Sequence, residues 1–364
     1  MTSLPSKLPS YLHLKQVYVD AQLSTNNPIV QNIRSNLPQA QFLVLKKIDD
    51  CQKGSLIVKQ FKGKFLRFCP GTRYYNCCGY KIVHFGENCP LACSYCILQA
   101  YFQDNTLKIW GNINDLYEEL DRTLRSNPNL RYRTGTGEFT DSLVLEPITG
   151  YAKHLVQFLA DYSNIRIELK SKVVDLSWLS GLNKVDHVLP AWSLNSPDIA
   201  QKEEKFTSSL EQRLKAAKTC TEKGLKVCLH FDPIIHYPGW EKGYATVIEM
   251  IFDYLKPEHI CYFSLGSFRG MPTLFKTIEQ NHPQVTYIYD EYVPGLDGKL
   301  RLFLPLRLKI FSFIVNKLKQ AGLDKQIYFC MESDLIWEKI LGYTPQKLGG
   351  LNKHLENLSF DNLI

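Results

Sequence analysis

The tightest constraint on this chain is Cys89-Pro-Leu-Ala-Cys93-Ser-Tyr-Cys96, three thiols spaced C-x3-C-x2-C within eight residues. Side chains this close can converge on one small inorganic object, and three thiolates can hold three irons of a [4Fe–4S] cube. A fourth cysteine ordinarily completes such a cube, and none follows at short range, so one iron stays open to a substrate or cofactor. The competing use is zinc, which takes four nitrogen or sulfur ligands, usually in two paired knuckles. Only an odd trio is clustered here, although Cys77 and Cys78 could complete a site.

At 364 residues the chain is long enough for two domains or one large α/β barrel. No uncharged apolar window reaches the ~18 residues of a membrane span. The start, MTSLPSKLPSYLHLKQ, lacks the apolar stretch of a secretory leader. A cytoplasmic monomer with no membrane partner is expected, and eleven cysteines in that setting argue for reduced thiols and metal chemistry rather than disulfides. The net charge of +7 and the 12% aromatic content are compatible with a nucleic-acid partner without requiring one.

From residue 81 onward apolar runs alternate with helical periodicity, the pattern of a parallel sheet with crossover helices. Six strands are predicted: Lys81–Phe85, Leu130–Thr134, Asn164–Lys170, His187–Ser193, Lys226–Phe231 and Ile260–Ser264. Between them, Ile113, Leu116, Tyr117, Leu120 and Leu124 mark a helix that Asn112 or Asn114 can cap. Another helix carries a capping box at Ser208-x-x-Glu211 and a stop at Gly224. The fold class is α/β, a partial (β/α)6 TIM barrel over 81–270. Residues 1–80 form an N-terminal extension without a long amphipathic helix. Residues 271–364 form a C-terminal region with a hairpin at Asp297-Gly298, a basic helix over 307–320 and a loosely held polar tail after about 345. In a parallel barrel the site lies at the carboxyl ends of the strands, where the cysteine loop also falls.

The cysteine spacing directly after an apolar strand resembles the signature of the radical S-adenosyl-L-methionine superfamily. That resemblance implies a [4Fe–4S] cluster on Cys89, Cys93 and Cys96, whose open iron chelates the amine and carboxylate of S-adenosyl-L-methionine. It further implies reductive cleavage to methionine and a 5′-deoxyadenosyl radical, with an electron donor such as flavodoxin or ferredoxin. Thr136-Gly137-Glu138 ends the second strand and looks like a variant of the superfamily's glycine-rich segment at the methionine amine. Lys172, Ser193 and Asn195 sit at matching strand ends, where an ammonium could meet the cofactor's carboxylate and a hydroxyl or amide its ribose.

Cys93-Ser-Tyr95-Cys96-Ile-Leu-Gln99, Gly239-Trp-Glu-Lys-Gly-Tyr244 and Cys330-Met-Glu-Ser333…Trp337 together resemble the spore photoproduct lyase family over roughly residues 80 to 343. The resemblance implies repair of a thymine dimer in ultraviolet-damaged DNA, with Tyr95 and Asp141 as neighbours of the reacting atoms. It also implies a hairpin that wedges the duplex, which Leu296–Arg301 matches, so that Lys299 and Arg301 could meet phosphates. The chain departs from the family twice: Glu138 stands where a hydrogen-donating cysteine precedes a Thr-Ser-Asp run, and Ile97 stands where a tyrosine follows the third cluster cysteine. Cys77 or Cys78 could replace the missing thiol. Two alternatives stay open: a radical enzyme acting on another nucleic acid or small substrate, and a non-catalytic zinc or DNA-binding module.

Overall fold

The computed structural model describes residues 9–360 apart from 25, 48–50, 53, 73 and 103. The first eight residues of the start segment read above lie outside this set. In chain order the strands are β1 (Gln16–Asp20), β2 (Gln41–Leu45), β3 (Leu56–Lys59) and β4 (Leu66–Phe68). β5 (Lys81–Val83) and β6 (Gly86–Glu87) precede the cysteine loop, and β7 (Leu107–Trp110) follows it. Next come β8 (Tyr132–Gly135), β9 (Ile165–Ser171), β10 (Val188–Ser193), β11 (Val227–Ile234) and β12 (Ile260–Ser267). Last are β13 (Arg269–Gly270), β14 (Tyr292–Pro294), β15 (Leu300–Leu302) and β16 (Ile327–Phe329).

Seven strands run parallel in the order β5-β8-β9-β10-β11-β12-β16, and β4 lies antiparallel against β5 at one edge. This is the expected curled partial barrel with one parallel strand more than the six read from the sequence, because Ile327–Phe329 pairs with Phe263–Leu265. All residues of β10 and β12 are buried, as strands covered on both faces require. The helix Ile113–Ser126 shows how the crossovers pack: Ile113, Leu116, Leu120 and Leu124 recur on one face and are all buried. The crossover from β9 to β10 is the exception, reduced to a 3-10 turn, Ser177–Leu179, that buries Trp178.

The capping box falls one residue later than the sequence suggested: Ser209 and Gln212 cap the helix Leu210–Thr221 reciprocally. Asn112 stands at the start of its helix, but its side chain bonds the backbone of Phe61, 2.8 Å to the amide and 2.9 Å to the carbonyl. It therefore ties the barrel to the N-terminal region.

That region is more ordered than expected and does not end at residue 80. It forms a second sheet, β2-β1-β3-β7-β6, with an amphipathic helix, Pro28–Asn36, burying Ile29, Val30 and Ile33. Its last two strands come from the segments on either side of the cysteine loop. The hairpin is present as β14 and β15, with Gly298 supplying the left-handed turn residue at φ +74°. The tail differs from expectation as well: Leu351–Phe360 is a helix docked on the sheet through buried Leu351, Leu355 and Phe360, an apolar face masked by its polar composition. We expect Leu355→Ala, at a position with 0% exposure, to lower the unfolding free energy by about 2–5 kcal/mol in a denaturant titration. A loosely held tail would give a change close to zero.

Candidate active site

The residues that close the carboxyl ends of the barrel strands surround a cavity of about 500 Å³. Cys89, Cys93 and Cys96 form one wall of it. Their loop is bent by two non-glycine residues in the left-handed region, Asn88 at φ 67° and Ala92 at φ 52°. Such residues cost about 1–2 kcal/mol each and persist where surroundings fix them. Asn88 is fixed by its own amide, which donates to the carbonyls of Asp104 at 3.0 Å and Thr106 at 2.7 Å.

Burial pushes all three thiols above their ordinary range, and the neighbouring sulfurs add to the shift at Cys89 and Cys93. A positively charged metal centre offsets that penalty by binding the thiolates. Among the described residues no three His, Cys, Asp or Glu side chains meet at a single-ion position. A cubane takes each thiolate on a different iron, so its ligands do not have to share one point. The three soft donors on one loop, facing a cavity, fit that group.

Opposite the cysteines lies a dense set of charges. Glu138 pairs with Lys170 at 2.6 Å. Burial alone would lower the Lys170 pKa, but the Glu138 and Glu168 carboxylates hold it well above the usual range. Glu168 is 1% exposed and accepts from the hydroxyls of Tyr80 and Tyr262, and His230 Nε2 lies 3.4 Å from it. Burial would raise this carboxyl, yet His230 first, then Lys170 and Tyr262, hold it at about 2. Asp232, Arg269, Lys299 and Cys330 continue the wall.

The structure brings most of the sequence candidates to this cavity. Gly137, Glu138, Asp141, Lys172, Ser193, Tyr95, Cys78 and Lys299 all line it. Tyr95 hydrogen-bonds Glu204, which pairs with Arg213 at 2.6 Å, and Arg213 donates to the Ser193 carbonyl at 2.8 Å. The Lys172 ammonium lies 5.6 Å from the centre of the Tyr95 ring. Asp141 lines the cavity, but its carboxylate is taken up by Ser171 Oγ at 2.7 Å and the amides of Lys172, Leu143 and Val144 at 2.7, 3.0 and 3.1 Å. It staples two strand ends together.

Four candidates stand away from the cavity. Thr136 turns its hydroxyl to Ser142 at 2.7 Å, and Asn195 bonds Tyr244 and the carbonyl of Pro233. Cys77 lies behind Cys78, against Gly71. Arg301 is 1% exposed, paired with Asp297 at 2.8 Å and stacked 3.8 Å from the Tyr75 ring centre, so its guanidinium braces the hairpin instead of facing outward. Arg133, on β8, is buried between Tyr80 and Tyr262. The glycines of the Gly135-Thr-Gly137 turn serve packing: a Cβ at Gly135 would stand 1.5 Å from the Tyr80 hydroxyl, and one at Gly137 would stand 2.8 Å from the Lys170 carbonyl.

Sequence reasoning missed Glu168, Lys170, His230, Asp232, Arg269 and Cys330. The available signal was charge inside apolar runs, as in Ile165-Arg-Ile-Glu-Leu-Lys170 and Leu229-His-Phe-Asp232. Polar residues at alternate positions of a strand buried on both faces point into the barrel.

Glu168 has a depressed pKa, so its contribution to stability is complete above its ordinary value of 4.5 and is lost as the pH falls toward about 2. We expect Glu168→Gln to cost about 3 kcal/mol at pH 7 and progressively less from pH 4.5 to 2, measured by urea unfolding across that range. A cost independent of pH would contradict the charge assignment.

A model of the spore photoproduct lyase family matches residues 75–293. A spore photoproduct lyase of Clostridium acetobutylicum is 24% identical over 171 residues, covering 46% of this chain and 51% of that protein. One from a Geobacillus species is 24% identical over 223 residues, covering 57% and 62%. The chain thus spans about half to three fifths of the length of these curated relatives. Among solved structures, a mutant spore photoproduct lyase with dinucleoside spore photoproduct superposes with a TM-score of 0.75 at 18% identity over 87% of this chain and 98% of that one. Another mutant, with bound AdoMet and dinucleoside spore photoproduct, gives 0.75 at 17% identity over 88% and 99%. At such identity the likeness establishes the shared fold.

Proposed function

The chain belongs to the spore photoproduct lyase family, and from that premise we propose that it is a radical S-adenosyl-L-methionine enzyme repairing ultraviolet-damaged DNA. The observation that carries the reading is the joint placement of Cys89, Cys93 and Cys96 on one cavity with the polar ends of the barrel strands. Cys89, Cys93 and Cys96 would hold a [4Fe–4S] cluster, and Gly137, Glu138, Lys172 and Ser193 would receive S-adenosyl-L-methionine. Bound together and supplied with an electron by a flavodoxin or ferredoxin, these groups would supply reductive cleavage to a 5′-deoxyadenosyl radical.

The chain's own residues do the rest. The Glu204–Arg213 pair holds Tyr95 and the Ser193 carbonyl in place, and Asp141 fixes the turn that presents Lys172. Lys299 reaches the cavity rim from the hairpin, where a phosphate of an extruded lesion would lie. A hydrogen-returning thiol must keep its S–H bond. Cys78 lines the cavity, but its hydrogen bond from Cys77, assisted by Arg133, lowers its pKa and so favours loss of the S–H proton. Burial pushes Cys330 up, and Cys330 also lines the cavity. We therefore assign the hydrogen return to Cys330 in preference to Cys77 or Cys78.

Anaerobic incubation with S-adenosyl-L-methionine, a reductant and an oligonucleotide carrying the spore photoproduct should yield 5′-deoxyadenosine and restored thymines by mass spectrometry. 5′-Deoxyadenosine without repair would remove this substrate. Replacing the three cluster cysteines together by Ala should abolish the brown colour and iron content of the reconstituted protein. Cys330→Ala should lower restored thymine at least about tenfold while 5′-deoxyadenosine still forms. Unchanged repair would return the role to another thiol.

A further inference from the structure

Cys78 and Cys330 are half-buried, and both line the cavity. They come from distant parts of the chain, the turn before β5 and the residue just past β16. A single antiparallel bridge joins the two segments. The Asn76 amide donates to the Glu332 carbonyl at 3.0 Å, and its side chain donates to the same carbonyl at 3.2 Å and to Asp334 at 2.8 Å. Counting two residues on from Asn76 and two back from Glu332 sets Cys78 against Cys330. Residues facing each other across an antiparallel pair have Cα atoms about 4.5–5.5 Å apart, inside the roughly 4.4–6.8 Å that a disulfide spans. The pairing stops at one bridge, because Met331 takes a left-handed φ of 56°, and the two thiols are left at the cavity.

Thiol–disulfide exchange proceeds through the thiolate, which hydrogen-bond donors and cations favour. Each of the two sulfurs has such neighbours. The Arg269 guanidinium donates to Cys330 Sγ at 3.3 Å. Cys78 accepts from Cys77 and lies near Arg133, which together lower its pKa against burial. Burial, then Asp232, raise the Cys330 pKa, Arg269 opposes them, and charge on Cys78 raises it further, so the two sulfurs lie within electrostatic reach of each other.

We propose that Cys78 and Cys330 are a redox-active dithiol that exchanges with a low-molecular-weight disulfide and closes to an intramolecular disulfide. The Cys78 thiolate attacks the small disulfide, forms a mixed disulfide and releases one small thiolate, which takes a proton from water. Cys330 then attacks Cys78 Sγ, and the second small thiolate leaves with the Cys330 proton. Two electrons pass from the cysteines to the small disulfide, which becomes two thiols. The dithiol needs no DNA. Its consequence rests on the hydrogen-return assignment above: closure removes the Cys330 S–H bond and stops repair until a thiol reopens the pair.

The test equilibrates the anaerobically reconstituted full chain, without DNA, in glutathione buffers of graded reduced-to-oxidised ratio. Samples are quenched in acid, alkylated and mapped by peptide mass spectrometry, with iron measured in parallel. Peptides joined through residues 78 and 330 should rise from about one tenth to nine tenths of the chains across roughly a hundredfold change in the ratio of squared glutathione to its disulfide. Iron content should stay constant, dithiothreitol should reverse the bond, and the bond should persist in Cys77→Ser and Cys69→Ser. Cysteines reduced throughout, a bond from Cys78 to Cys77 or Cys69 instead, a glutathione adduct alone, or a cross-link that appears only as iron is lost each overturn the inference. Given flavodoxin, S-adenosyl-L-methionine and the spore-photoproduct oligonucleotide, the closed protein should restore at least about tenfold fewer thymines than the open one while 5′-deoxyadenosine still forms. Undiminished repair by closed protein overturns the consequence and the Cys330 assignment but leaves the dithiol. Absence of repair in both forms, with the cross-link present, removes the DNA reading alone.

Discussion

A negative charge without water around it governs the middle of this protein. Removing a carboxylate from solvent costs several kcal/mol unless donors replace the lost hydration. For Glu168 those donors come from across the curled sheet, Tyr80 beside β5 and Tyr262 on β12, with His230 on β11 3.4 Å away. Four strands separated in sequence are drawn to one point, and the Tyr80 hydroxyl that makes one of these bonds occupies the space a side chain at position 135 would need. The charge, the glycine turn and the curl of the sheet are one arrangement. Lys170 and Arg133 belong to it as well, each a cation held inside the barrel by groups that the same burial has concentrated.

The barrel was legible because its strands read as apolar runs and its helices kept a 3.6-residue period. The cysteine loop was legible because three thiols within eight residues have few other uses. The rest escaped for identifiable reasons. β7, Leu-Lys-Ile-Trp, is four residues long and carries a lysine, so nothing marked it as the inner strand of another sheet; in the fold Lys108 is neutralised by Asp104 at 2.8 Å and Glu87 at 3.2 Å. The crossover after β9 departs from the helix rule: it carries only a short 3-10 turn with a buried tryptophan. Site residues read from the family's motifs do not all face the cavity. Thr136 and Asn195 stand at strand ends, but Thr136 turns its hydroxyl to Ser142, and Asn195 bonds Tyr244 on the helix Trp240–Tyr254 and the carbonyl of Pro233 on β11, a choice set by partners up to 49 residues away.

The charged cavity wall was the least visible part. Arg269 and Cys330 are distant in sequence and meet only because β12 and β16 pair in register, Phe263 with Ile327 through Leu265 with Phe329. That pairing delivers both residues to the same rim just past the strand ends. Periodicity within one segment carries no record of such a meeting.

The cysteine loop leaves through β6 and returns through β7, and both strands belong to the N-terminal sheet, while β5 just before it belongs to the barrel. The loop is therefore anchored at both ends in the N-terminal sheet, with the first parallel barrel strand directly before it. A chimera that borrowed the barrel from residue 81 onward would inherit the thiols but leave β7 without β3, its neighbour on the far side. The natural unit of exchange is the pair of sheets, and the apparent N-terminal appendage holds both ends of the cysteine loop.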